Sequence, residues 1–244
     1  PPISSGKKDY FIGIELEMEK EASTLRERGE FIVDILNESN DDFSSLLEWK
    51  KDGSLTNGVE MVTAPISLEI FREKVVPVVE KLRENGFTSE KGGNCGNHIH
   101  ISKNVFSEEE QARLVLIYAK FEKQIKILSR RGTNTNHCRD VLENFDSLEV
   151  GNSMKIVDSQ KNKSKSTAVN FSNKNTIEFR VFRGTMNTNK LIANIQLVQL
   201  LADWSRKNLS IYDILNLNMV DFENEIILNN YAELLNYCIE KEVI

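Results

Sequence analysis

The stretch Tyr10-Phe11-Ile12-Gly13-Ile14-Glu15-Leu16-Glu17-Met18 constrains this chain most. Read with a period of two, Ile12, Ile14, Leu16 and Met18 share one face of a strand, and Phe11, Gly13, Glu15 and Glu17 share the other. One face is suited to a core. The other holds two carboxylates two residues apart, roughly 6–7 Å along a strand. Like charges at that spacing raise each other's pKa unless a cation compensates. Gly13 keeps the acidic face open beside Glu15, which suits close approach of a ligand. The alternative is an edge strand with a solvated acidic face.

Three more strand segments repeat this pattern. His98 and His100 lie two apart, with Ile99 and Ile101 on the opposite face. They are two of only three histidines in the chain. Glu178 and Arg180 share a face, opposed by Ile177, Phe179 and Val181. Glu60 lies opposite Val59 and Met61, eight residues after Asp52. Taken singly, each has a plainer explanation: exposed strand histidines, a surface ion pair of little energetic value, or a turn aspartate. Together they predict neighbouring strands with one apolar face and one face of metal ligands, as antiparallel sheets commonly bury one side.

Between these segments the chain reads as follows. Strand one covers about 9–18, and an amphipathic helix follows over 27–38, ended by Asn40-Asp41-Asp42. Strands are predicted over 45–51 and 59–64, with Lys51-Asp52-Gly53-Ser54 as a turn signal. Ser67 caps a helix over about 68–85, in which Pro77 is expected to introduce a kink. Gly92-Gly93-Asn94-Cys95-Gly96 leads into the histidine strand. Ser107 and Glu110 form a capping box for one helix over about 108–129. Residues 130–165 are a long polar loop containing the basic run Lys161, Lys163 and Lys165. A loop of that length is either functional or disordered. Strands over 167–172 and 176–182 come next, then a long helix over 188–207 and shorter helices near 211–215, 222–228 and 231–240. No repeat or linker interrupts this order. We therefore predict an α+β fold and a single catalytic domain over 1–244, with 188–244 as its helical C-terminal part.

The ligand set indicates which ions are expected. Carboxylates dominate and no cysteine joins a ligand spacing, which suits Mg²⁺, or Mn²⁺ where an imidazole takes part. Arg180 on the same face is suited to bind a phosphoryl group with its planar fork. The residues thus predict a metal–nucleotide site for phosphoryl transfer. Composition agrees. The chain holds 31 basic and 37 acidic residues, for a net charge of −6. That argues against a general nucleic-acid binder. No apolar run reaches transmembrane length, so no membrane role is expected. Cys95, Cys138 and Cys238 suggest no disulfide framework, and a reducing, cytoplasmic setting is expected.

Five motifs in this order resemble those of the carboxylate–amine ligases. They are Gly13-Ile14-Glu15-Leu16-Glu17, Asp52-Gly53-Ser54, Val59 to Pro65, Gly96-Asn97-His98-Ile99-His100 and Thr176-Ile177-Glu178-Phe179-Arg180. These ligases are the relatives of glutamine synthetase and γ-glutamylcysteine ligase, and the resemblance is closest to the amidoligase family. It spans residues 11 to about 185. It implies a curved antiparallel sheet holding two or three divalent ions between ATP and an acid substrate, with helices on the other face. It implies that Glu15, His98 and Glu178 bind the ion nearer the ATP phosphates. Glu17 and Glu60, with Asp52 as an addition, would bind the ion nearer the acid. His100 would lie near the nucleotide phosphates, and Arg180 would steady the transferred phosphoryl group. Arg183, in Arg183-Gly184-Thr185, matches the ending of this strand in the family and is assigned to the nucleotide side. Asn170 lies where relatives meet substrate. Glu17, Glu178 and Arg180 are the residues expected in catalysis.

The implied reaction joins a carboxylic acid to an amine with ATP and Mg²⁺, through an acyl phosphate. The amine could belong to an amino acid, a peptide, a protein or a modified nucleic-acid base. The substrate-selecting loops of glutamine synthetase have no counterpart here, and no general base stands out. Two alternatives remain open at this level: another metal-dependent phosphotransferase or hydrolase on the same face, or a non-catalytic binding module on a ligase fold.

Overall fold

A computed structural model of the chain describes residues 8–21, 23–38, 43, 45–51, 55, 58–90, 95–131 and 167–244. Asp52, the turns at 40–42 and 52–54, the glycines 92 and 93, and nearly all of the 130–165 loop with its basic run lie outside the described residues. The chain forms two compact units, Pro1–Ile99 with Arg183–Leu191, and His100–Phe182 with Ile192–Ile244.

The first unit is built on β1 (Ile12–Glu19), whose alternation is the one its sequence dictates. Ile12, Ile14, Leu16 and Met18 are at most 1% exposed, whereas Phe11, Gly13 and Glu15 retain access to solvent. The strand order is β2 (Leu47–Lys50), β3 (Gly58–Thr63), β1 and then β4 (Gly96–Ser102). β1 and β3 are antiparallel, and their register sets Glu17 opposite Glu60 and Leu16 opposite Met61. A one-residue slip would turn the acidic set into the core. Gly58 is required where β3 begins, because a Cβ there would lie 2.3 Å from the Leu55 side chain.

α1 (Leu25–Glu38) packs along α3 (Val76–Glu84). The expected helix over 68–85 is continuous but not uniform. Between α2 (Leu68–Ile70) and α3 lies a π-helical stretch, Phe71–Val75, in which the Val76 N–H bonds the Phe71 carbonyl. Pro77 follows directly. Proline has no N–H to donate, and the wider turn re-routes the hydrogen bonds just before it.

The second unit contains the later part of β4, then β6 (Thr176–Arg183) and β5 (Val169–Asn170), in that order. β5 and β6 are antiparallel, with Asn170 opposite Glu178. Ile177, Phe179 and Val181 are at most 1% exposed, as the alternation predicts. The helix expected over 108–129 is two helices, α4 (Glu108–Lys120) and α5 (Glu122–Ser129). The break falls at Phe121, whose φ of −107° and ψ of 17° leave the helical range. Its ring stacks on Trp204 at 5.4 Å and meets Phe222 at 5.0 Å. Tertiary packing of one aromatic side chain thus overrides a continuous helical pattern.

α6 (Thr188–Ser205) begins in the first unit and continues in the second. α7 (Ile211–Asn216), α8 (Met219–Leu228) and α9 (Ala232–Glu240) complete the chain. α8 starts three residues before the expected Phe222, because Asn218 caps it by accepting from the Val220 and Asp221 N–H groups. The fold class is α+β, with six antiparallel strands and helices.

Candidate active site

In the first unit the polar face of β1 meets those of β3 and β4. Glu17, Glu60 and His98 each offer a ligand atom, and these atoms all lie within 4.8 Å of one another. His98 and Glu17 are buried, at 6% and 7% exposure. His98 Nδ1 pairs with Glu15 Oε2 at 3.1 Å, which fixes the imidazole plane. Glu17 Oε2 accepts a hydrogen bond from the Gly96 N–H at 2.5 Å.

Glu17 and Glu60 face each other directly across a strand pair. Like charges in that position destabilise a sheet unless a cation lies between them. The donor set of carboxylate oxygens with one imidazole fits Mg²⁺ or Mn²⁺. Asp52 lies outside the described residues, so its expected contribution is not seen.

In the second unit Glu178 is 7% exposed and receives two donors. Asn170 Nδ2 donates to its Oε2 at 2.9 Å, and Arg180 Nη1 donates to its Oε1. The Arg180 Nε is buried and has no hydrogen-bond partner among the described residues. The guanidinium is therefore oriented by Glu178 while keeping a donor in reserve. Arg131 Nη1 donates to the Arg180 carbonyl at 3.0 Å, tying the start of the long loop to this strand. His100 Nδ1 lies 3.2 Å from Thr176 Oγ1. His100 and Thr176 thus support each other across adjacent strands.

Arg183 has a visible partner: its Nη2 donates to the Glu90 carbonyl at 3.0 Å. Two residues around Glu17, Ser89 and Glu90, carried no signal in the sequence. Ser89 donates to the Glu17 carbonyl at 2.5 Å, and Thr185 donates to the Glu90 carboxylate. Ser89 and Glu90 stand in no strand pattern, so only the folded chain reveals them.

The first unit thus holds a carboxylate–imidazole cluster whose donors suit a divalent cation, and the second an arginine–glutamate pair. Residues 16–202 match the family described as "Putative amidoligase enzyme", and the chain belongs to that family. A solved structure that the chain also matches is the crystal structure of the complex between prokaryotic ubiquitin-like protein Pup and its ligase PafA. The identity is 13% and the TM-score 0.37, over 84% of this chain. The match covers 50% of the other chain, so this chain spans half its length. No curated protein matches the sequence.

Proposed function

We propose that this protein is an ATP- and divalent-cation-dependent carboxylate–amine ligase that makes an amide or isopeptide bond through an acyl phosphate. The observation that carries the reading is the Glu17–Glu60–His98 cluster, in a chain that belongs to the amidoligase family. Glu17 and Glu60 would hold the ion nearer the acid substrate. Glu15, His98 and Glu178 would hold the ion nearer ATP, with residues 1–244 acting as one catalytic domain. When bound, the ions would offset phosphate charge and align the reactants.

The chemistry asks little else of the chain. A carboxylate is a poor acylating agent because oxide is its leaving group. Attack of that oxygen on the γ-phosphorus of ATP releases ADP and turns the oxide into phosphate, which an amine can then displace. Arg180 would donate to the transferred phosphoryl group, and Glu178 keeps its fork from turning away. The Glu15–His98 pair holds the imidazole in place, so its ring need not reorganise when a cation binds. His100 and Asn170 are assigned to the nucleotide and substrate. The amine substrate is an amino acid, a peptide, a protein or a modified base.

The experiment is turnover with ATP, Mg²⁺ and a panel of acids and amines, scored by ADP release. ADP that appears only when an acid is present supports the reading. ADP release that ignores the acid at every concentration tried would favour a phosphotransferase or hydrolase.

A further inference from the structure

Two residues that touch Glu17 each stand next to a residue held by the segment Arg183-Gly184-Thr185. Ser89 donates to the Glu17 carbonyl and Gly96 donates to its carboxylate, each at 2.5 Å. Beside Ser89 stands Glu90. Its carbonyl accepts from Arg183 Nη2 and its carboxylate from Thr185 Oγ1. Beside Gly96 stands Cys95, whose carbonyl accepts from the Gly184 N–H at 2.9 Å. Arg183, Gly184 and Thr185 therefore hold the neighbours of both residues that meet Glu17, Ser89 at its backbone carbonyl and Gly96 at its carboxylate.

We propose that Arg183-Gly184-Thr185 is a clamp that positions Glu17 for its divalent cation, with Ser89 and Gly96 as the two points of contact. Arg183, Gly184, Thr185 and Ser89 are positioning residues in this scheme and act through Glu17. The inference rests on the metal-site reading given above.

Three features set this apart from ordinary strand-end packing. First, Gly184 is in contact with both ends at once. A Cβ there would lie 2.0 Å from Ser89 Oγ and 3.1 Å from both the Cβ and the carbonyl oxygen of Cys95. No side chain fits unless Ser89 moves off Glu17. Second, Thr185 is fully buried and its hydroxyl is used twice. It donates to Glu90 and accepts from the Asn187 N–H at 3.1 Å. The bond ties the exposed Glu90 to a buried residue of the strand end. Third, Ser89 takes over the ladder where backbone pairing stops. Glu19 and Thr88 exchange N–H···O bonds at 2.7 and 2.8 Å, and the next bond to β1 comes from the Ser89 hydroxyl. A hydroxyl in place of a backbone N–H lets the chain turn away while β1 stays anchored at Glu17.

Ligand geometry is what a clamp of this kind would protect. Divalent ions such as Mg²⁺ demand near-ideal octahedral placement of their oxygens. Residues behind the ligands typically govern affinity by tenfold to a hundredfold. The clamp should therefore show itself in cation affinity more than in fold stability.

The test measures Mn²⁺ binding to the full chain by electron paramagnetic resonance, with no nucleotide or substrate present. Glu17→Gln reports on the site itself. Thr185→Val and Gly184→Ala report on the clamp, and Thr185→Ser keeps the hydroxyl. Melting temperature is followed for each variant. The expected result is a roughly tenfold or greater loss of Mn²⁺ affinity in Glu17→Gln, Gly184→Ala and Thr185→Val, with Thr185→Ser near wild type. If Gly184→Ala does not fold, the Thr185 pair carries the test alone. Weakened binding in Glu17→Gln, with Thr185→Val unchanged, overturns the clamp and leaves the site standing. Unchanged binding in Glu17→Gln overturns the site reading and the clamp with it. Equal losses in Thr185→Ser and Thr185→Val also overturn it, since the hydroxyl would then not matter.

Discussion

At the scale of single residues, Arg180 offers the sharpest prediction. Its Nη1 pairs with Glu178 and its Nε stays in reserve. Lysine keeps the charge and loses the fork. Arg180→Lys should lower ATP turnover by about a hundredfold or more, the range seen when one donor to a developing charge is removed. Its melting temperature should stay near that of wild type, because the side chain lies at the edge of the core. Wild-type turnover in this variant would remove Arg180 from the phosphoryl site. Cys238 gives a second prediction of the same kind. Burial pushes its thiol up to about 12, so almost no thiolate forms near neutral pH. Native protein should react with a thiol-specific disulfide reagent at Cys238 only after unfolding. Rapid modification of Cys238 in folded protein would contradict that burial.

The residue scale also shows how far a site can be read from its sequence. The meeting of Glu17, Glu60 and His98 and the Glu15–His98 pair were legible because these residues fill the polar half of period-two patterns whose apolar half is intact. The same holds for Glu178 and Arg180. Ser89 and Glu90 were not legible, and Thr185 was marked only as part of a family ending without a role. They belong to strand ends and connections, where no periodicity marks them, and their roles come from chain segments nearly a hundred residues apart meeting in space. Arg183 was assigned to the nucleotide side from the family ending alone, with no local pattern to give it a contact. Only its bond to the Glu90 carbonyl discloses one.

Among the elements, β1 shows the strongest agreement between pattern and structure, and the α4–α5 break the weakest. Helical spacing ran unbroken through Phe121, but nothing in it could reveal that this ring would be needed between Trp204 and Phe222. Phe121→Ala should therefore destabilise the protein by about 3–5 kcal/mol, as large core truncations do. Chemical denaturation would measure it, and a loss below 1 kcal/mol would show that the break has another cause. The π-helical stretch before Pro77 is a similar case, where a proline signal was read correctly in place but not in kind.

α7 carries a pH dependence of known sign. The Ser210 hydroxyl and N–H both donate to Asp213 and hold its carboxyl below its ordinary value of 3.8. A carboxyl lowered on folding stabilises the folded state fully above its unfolded pKa. That contribution fades as pH falls through the folded value. Wild type and Ser210→Ala should thus differ more at pH 6 than in strong acid, where the cap that the Ser210 hydroxyl gives the Asp213 N–H remains. A difference that did not shrink as pH fell would contradict the assignment.

For the whole molecule, the α+β class followed from the order of strand and helix patterns, while the strand order and the division into two compact units did not. The units are assembled from non-consecutive segments, and Arg183–Leu191 joins the first unit from far along the chain. Local sequence pattern carries no record of such returns. No helix among the described residues is long and apolar enough to cross a membrane, in keeping with the absence of such a run in the sequence.

The central claim is that a carboxylate is activated by phosphorylation, and oxygen tracing tests it most directly. An acid substrate labelled with ¹⁸O in its carboxylate is turned over with ATP, Mg²⁺ and an amine, and the products are read by phosphorus NMR. When the amine displaces phosphate from the acyl phosphate, the bridging oxygen leaves with the phosphate. The account predicts ADP, an amide that retains one ¹⁸O atom, and inorganic phosphate carrying the other, visible as an isotope-shifted resonance. AMP and pyrophosphate formed in step with the amide would contradict it, and so would unlabelled phosphate released in step with the amide.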